Sequence, residues 1–177
     1  MTKYNDIIYE IAIDNYGLIS SVEAKHAGVS NMELLQYARR GKLDHVGHGL
    51  YRLSQRVPET NDPYALAVAL VGPEAYLFGE SVLAMFSLCP TNPARMYIAS
   101  PKRVRRKLPS GLQVIHCDEG SEVTRYEGIP SQNVRDAILS CKGRIMPDRL
   151  LAATEEAEYQ GLLGINEAKT IKKELKS

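Results

Sequence analysis

The 177-residue sequence predicts an α+β protein in two parts. The first is a small N-terminal unit of three short helices closed by a two-stranded ribbon; the second is a larger mixed α/β domain with a short sheet flanked by helices. Three observations carry this. Apolar residues recur at helical spacing from Tyr4 to Ala12 and in two further short segments up to about residue 40. The pattern then switches to alternation at 42–46 and 50–53, on either side of Gly47-His48-Gly49. A polar stretch with two prolines, SQRVPETNDP at 54–63, separates this unit from the rest of the chain, so the expected domains are 1–56 and 57–177.

In chain order, Tyr4, Ile7, Ile8, Ile11 and Ala12 define one face of a helix over 3–15, which Tyr16-Gly17 stops. Ser20 and Glu23 have the spacing of a capping box, in which the serine oxygen takes an orphan amide and the glutamate reaches back to the cap. That second helix ends early, because Gly28 suits a left-handed exit. Ser30 and Glu33 repeat the device, and a third helix runs to about Arg40 before Gly41. Two capped helices joined by Ala27-Gly28-Val29 form a helix-turn-helix, with Val22, Val29, Leu34 and Ala38 expected in its core. Strands come directly after it, joined through glycines able to supply the positive φ angles of a tight hairpin. Three helices and a ribbon make a winged helix-turn-helix, an arrangement that binds duplex DNA.

The expected DNA-binding residues are Ser30, Asn31, Met32, Gln36, Arg39, Arg40, Lys42, His48, Tyr51 and Arg52. Asn31, Met32, Gln36 and Arg39 share the outer face of the third helix. Asn31 and Gln36 have the amide chemistry to read adenine, and Arg39 can read guanine or hold phosphate. Arg40 and Lys42 end the helix near a phosphate strand, and His48 and Arg52 lie on or beside the wing. A solvated face is the competing reading for each residue taken singly. Leu35 and Tyr37 are assigned to core or flank.

The formal net charge is +1, and basic and acidic residues balance in each third of the chain, which excludes a uniformly basic nucleic-acid coat. Recognition must therefore come from local clusters: Arg39, Arg40 and Lys42, and a second patch of Lys102, Arg103, Arg105, Arg106 and Lys107, fit for DNA or a partner surface. A unit this near neutrality should bind weakly as a monomer, so tandem or palindromic half-sites, or help from the second domain, are expected, the oligomeric state being left open. Cys89, Cys117 and Cys141 are odd in number and scattered, which argues against a zinc site or disulfide framework and for a reduced cytoplasmic setting. His45 and His48 have no companion ligands, so no metal and no cofactor is expected. No apolar run approaches the roughly 18 residues of a membrane span, and the N-terminus lacks the pattern of a signal peptide.

The run GLISSVEAKHAGVS and, after it, LLQYARRGKLDHVGHGLYRL resemble the N-terminal winged helix of the AbiEi family, the antitoxins of type IV toxin–antitoxin or abortive-infection systems. The ribbon, closing with Gly49-Leu50-Tyr51-Arg52-Leu53, carries most of the likeness. Further on, 79–84 resembles the family's Ser-Ala-Leu helix, and 126–131 with 134–138 its G-x-P and R-T-l-x-D segment, with Arg135-Asp136-Ala137 in place of the threonine step. The resemblance implies a phage-defence antitoxin that represses its own operon through inverted repeats, and whose second domain counters a nucleotidyltransferase-like toxin.

In the second domain, apolar residues at 64–70 predict a buried helix after Asp62-Pro63, and 79–88 another. Strands are expected at 95–99, 112–117 and 122–126, then helices at 131–141, 147–163 and 166–176, the last polar and only partly ordered. Asp118, Glu119 and Glu122 lie together after a strand, but a nuclease would need a further Glu-x-Lys strand, which is missing, so 118–120 reads as a turn. No phosphate loop, nucleophile elbow or paired-histidine helix occurs, and no catalytic residue is expected. The alternative to an antitoxin is a winged-helix transcription factor whose second domain senses or dimerises without a toxin partner.

Overall fold

The computed structural model describes residues 3–90, 94–118 and 122–176. Contacts divide the chain into two compact units, Met1–Leu70 and Val71–Ser177. The first contains α1 (Lys3–Ile13), β1 (Leu18–Ser20), α2 (Ser21–His26), α3 (Asn31–Arg39), β2 (Leu43–Gly47), β3 (Leu50–Leu53) and nearly all of α4 (Asp62–Val71). Its core joins Ile8 and Ala12 of α1, Ile19 of β1, Ala24, Val29, Leu34 and Tyr37 around the helix-turn-helix, and Leu43 and Tyr51 of the strands. The sheet has three strands, in the order β1-β3-β2, both pairings antiparallel. The sequence reading placed only two of them. At three residues, β1 is too short for alternation to show; its pairing with β3, Ile19 opposite Tyr51, makes it a strand.

The hairpin turns on His48-Gly49, since Gly47 already pairs with Leu50. Of the glycines in it, Gly49 takes the positive φ, at +63°. Gly47 serves otherwise: a Cβ there would fall 2.3 Å from Leu70 Cδ2, so its lack of a side chain admits the end of α4. The expected boundary at 56/57 therefore falls inside the first compact unit. Val22, expected in the core, is 62% exposed. Ala24 is the buried residue of α2, and Val22, two positions away at about 100° per residue, points to the opposite side.

The second unit is built on a five-stranded mixed sheet of β4 (Tyr76–Leu77), β5 (Met96–Ser100), β6 (Leu112–His116), β7 (Val123–Tyr126) and β8 (Ile129–Gln132), in the order β6-β5-β4-β8-β7. β5 and β6 run parallel, so residues 101–111 must carry the chain back along the strand length rather than turn tightly. β4–β8 is also parallel, while β4–β5 and β7–β8 are antiparallel. Its helices among the described residues are α5 (Glu80–Met85), α6 (Val134–Ser140), α7 (Pro147–Tyr159) and α8 (Ile165–Lys176). The helix expected at 131–141 begins later, because 129–132 pairs with β7 and Asn133 caps α6 by accepting from the Asp136 amide. α8 is a full helix burying Ala168, Ile171 and Leu175, against the expectation of partial order; three well-spaced apolar residues suffice to dock it. Glu119 lies outside the described residues, so the expected turn at 118–120 is not described in full.

Candidate nucleic-acid interface

Local chemistry fixes both ends of the helix-turn-helix. The Glu23 amide donates to Ser20 Oγ at 3.1 Å, and Glu23 Oε2 accepts from the Ser20 amide at 2.8 Å. At α3 the Glu33 amide donates to Ser30 Oγ at 3.3 Å, and Glu33 Oε2 accepts from the Ser30 amide at 2.7 Å. Hydrogen bonds from the Ser30 backbone first, then from the Ser30 and Tyr4 side chains, hold the Glu33 carboxyl below its usual range. Between the helices Gly28 takes φ +84° and the Val29 amide donates to Ala24 O at 2.8 Å, seating Val29 in the core. Both capping boxes and the turn lie where their spacing put them. Ser30 is thereby a cap, its hydroxyl occupied by the helix end.

With Leu34 and Tyr37 buried, α3 turns Asn31, Met32, Leu35, Gln36 and Arg39 outward, all exposed. Leu35 was expected in core or flank; it lies one and two positions off the buried pair and shares its exposed side with Met32, at i, i+3. Arg39 and the cap residue Arg40 are exposed, and their guanidinium groups form no hydrogen bond or ion pair among the described residues. Lys42 is exposed, its Nζ 3.5 Å from Asn5 Oδ1 and 5.7 Å from the centre of the Tyr37 ring. His48 is exposed at the hairpin tip. Arg52 is half-buried, paired across the ladder with Asp44 and within electrostatic reach of Asp62. Tyr51, among the expected DNA-binding residues, is 6% exposed, packed in the core and tilted against His45 at 5.1 Å, so little of its side chain is presented to a ligand. Alternation along a strand pairs a side chain with one face, and in β3 that face at Tyr51 is the inner one.

An ion-pair node that sequence reasoning missed anchors the end of this unit. Arg56 donates to Asp62 Oδ2 at 2.6 Å and pairs with Glu59, while its guanidinium lies 6.0 Å from the Tyr16 ring. The bond to Asp62 raises the Arg56 pKa. Burial would raise that of Asp62, but the Arg56 bond, the Glu59 amide and the two arginine charges together hold it below its ordinary value. Asp62 Oδ1 is buried without a partner among the described residues, so the carboxylate depends on Arg56. Arg56 sits in the segment read as linker, and local contacts across three and six residues join it to Glu59 and Asp62, the Glu59 amide donating to Asp62 Oδ2 at 3.2 Å.

In the second unit, the cluster of Lys102, Arg103, Arg105, Arg106 and Lys107 occupies the β5–β6 crossover, and all five side chains are exposed. Lys102 Nζ pairs with Glu74 at 2.6 Å, and Arg106 Nη2 donates to Val71 O at 2.7 Å. Arg103, Arg105 and Lys107 form no hydrogen bond or ion pair among the described residues. Cys141 is buried, and desolvation pushes its thiol up to about 12, too high for a nucleophile. Among the described residues no group of three or more His, Cys, Asp or Glu is placed to hold a metal. No helix of the described residues is long and apolar enough to cross a membrane.

Comparison with known proteins bears on the same segment. Residues 6–54 match the family of AbiEi antitoxin transcriptional regulators. The match begins in α1 and ends just past β3, so it spans the helix-turn-helix, its hairpin and the core that holds them. The AbiEi resemblance of GLISSVEAKHAGVS and the ribbon is thus the one the family comparison finds. That family is described as one of transcriptional regulators. No curated protein matches the chain. A solved structure, the RV2827C protein from Mycobacterium tuberculosis, is similar at 12% identity and a TM-score of 0.46, over 98% of this chain and 82% of that one.

Proposed function

We propose that the chain is an autoregulating antitoxin: the winged helix-turn-helix represses its own promoter, and the C-terminal domain neutralises a nucleotidyltransferase-like toxin in a phage-defence operon. The observation that carries the DNA half is α3 itself, capped at its start, docked through Leu34 and Tyr37, and ending in Arg39 and Arg40 that no carboxylate neutralises among the described residues. A helix of nine residues is about 13 Å long, enough to lie in a major groove about 12 Å wide with its last turn at the phosphates. His48 at the hairpin tip then reaches the adjacent backbone, as a wing does. The near-neutral charge of the chain makes a single site weak, which favours cooperative occupation of inverted repeats.

The test is a gel-shift assay with the duplex upstream of the protein's own coding sequence, alongside growth rescue on co-expression with the neighbouring gene product. Arg39→Ala with Arg40→Ala should abolish the shift and leave rescue intact. Loss of both in a still-folded protein refutes the division of labour. A second reading has its own support: the family match stops at residue 54 and leaves the C-terminal domain outside it. On that reading the protein is a transcription factor with a sensing or dimerising second domain, and co-expression would give a shift but neither rescue nor pull-down.

A further inference from the structure

The outer stripe of α3 carries little charge for a surface meant only for water. Of Asn31, Met32, Leu35, Gln36 and Arg39, one is charged, and none of the five side chains makes a hydrogen bond or ion pair among the described residues. Met32 is 70% exposed and Leu35 44%. The twelve-residue α8, which also ends in cations, behaves differently: beyond its first residue, its exposed positions are Asn166, Glu167, Lys169, Thr170, Lys173 and Lys176, all polar. A single exposed leucine needs no explanation, but two large apolar side chains one turn apart, flanked by two amides and an arginine, make a mixed surface. Arg39 and Arg40 at its C-terminal end, unpaired among the described residues, make a polyanion the fitting occupant. Among polyanions, duplex DNA offers an apolar group inside a groove, the C5-methyl of thymine.

Resting on the DNA-binding reading above, we propose that Met32 and Leu35 select thymine by burying its methyl group, so that the half-site under α3 is A·T-rich. Asn31 and Gln36 are the amides beside them, chemically suited to the adenine edges of those same or neighbouring pairs. Arg39 and Arg40 supply sequence-independent hold at the phosphates. Leu35 thus changes from a packing residue to a specificity-determining one.

The experiment uses the full chain. A randomised duplex library is enriched for binders, and the winning duplex is resynthesised with deoxyuridine in place of thymidine one position at a time, which removes only the methyl. The expected result is about a fourfold loss of affinity at the thymidines under α3, the worth of burying one methyl group. In Leu35→Ala and Met32→Ala, both exposed changes in a capped helix, that difference should vanish while circular dichroism stays native. Equal binding of the thymidine and deoxyuridine duplexes overturns the methyl inference and leaves DNA binding standing. Failure to enrich any duplex overturns both. If Leu35→Ala instead dissociates a dimer in sedimentation and the thymidine preference is untouched, the face belongs to a second copy of the chain and the inference falls.

Discussion

Two clusters of cations stand out along the chain, and they are not equivalent. Arg39 and Arg40 close α3, where the helical backbone has used its own hydrogen bonds and leaves both guanidinium groups without a partner among the described residues. The cluster at 102–107 is denser in charge, yet Lys102 is engaged by Glu74 and Arg106 by the Val71 carbonyl. The β5–β6 crossover explains the difference. A parallel pair obliges residues 101–111 to run back along the sheet, and two of the five cations tether that run. Charge density in sequence therefore overstates what a loop can offer a ligand, whereas a short, low-charge helix end offers all it has.

The largest effect expected is at the helix end. Replacing Arg39 and Arg40 with alanine should weaken DNA binding about a hundredfold and reduce the slope of log affinity against log salt by roughly two, as two phosphate contacts are lost. An unchanged slope would mean that these arginines do not touch phosphate. Next comes the ion-pair node at the start of α4, within the first unit. Arg56→Met should cost about 2 kcal/mol, because Asp62 is left as a poorly solvated carboxylate with Oδ1 already unpartnered. The sign with pH is set by the depressed Asp62 pKa: the pairing stabilises the fold above the ordinary carboxylate range and is lost as pH falls through the lowered folded value. Thermal melts across the acid range should show this fall in the wild type and a shallower one in Arg56→Met; identical acid profiles would refute the coupling.

A smaller effect is expected in the crossover. Charge reversal at Arg103, Arg105 and Lys107, the three cations with no partner among the described residues, should lower DNA affinity about tenfold and flatten its salt dependence if the loop holds phosphate. An unaltered slope with lost toxin neutralisation would assign the loop to the protein partner. Least of all should come from Tyr51→Phe, which should leave operator affinity unchanged in the same gel shift, since the ring lies within the core. A marked loss would return Tyr51 to the interface.

What could be read from the sequence depended on the range of the interaction. The two capping boxes, the Gly28 turn and the end of α3 near Arg40 are contacts across three or four residues, and spacing is enough to place them. Val22 was misplaced because an apolar residue was equated with a buried one; which side of a short helix faces inward is decided by the partners it packs on. The strands β1 and β4 escaped notice because two or three residues hold no usable period, and β8 because its end was read into the helix at 131–141; each is a strand by virtue of its pairing with a neighbour.

The chain's own order of residues therefore determined the caps, the hairpin tip and the outward cations of α3, because these rest on local hydrogen bonding and helical phase. Tertiary structure alone decided that Tyr51 turns inward, that Gly47 admits Leu70, and that the basic run becomes a tethered crossover. Those outcomes come from strand pairing and from burial against distant segments, which no short window of sequence contains.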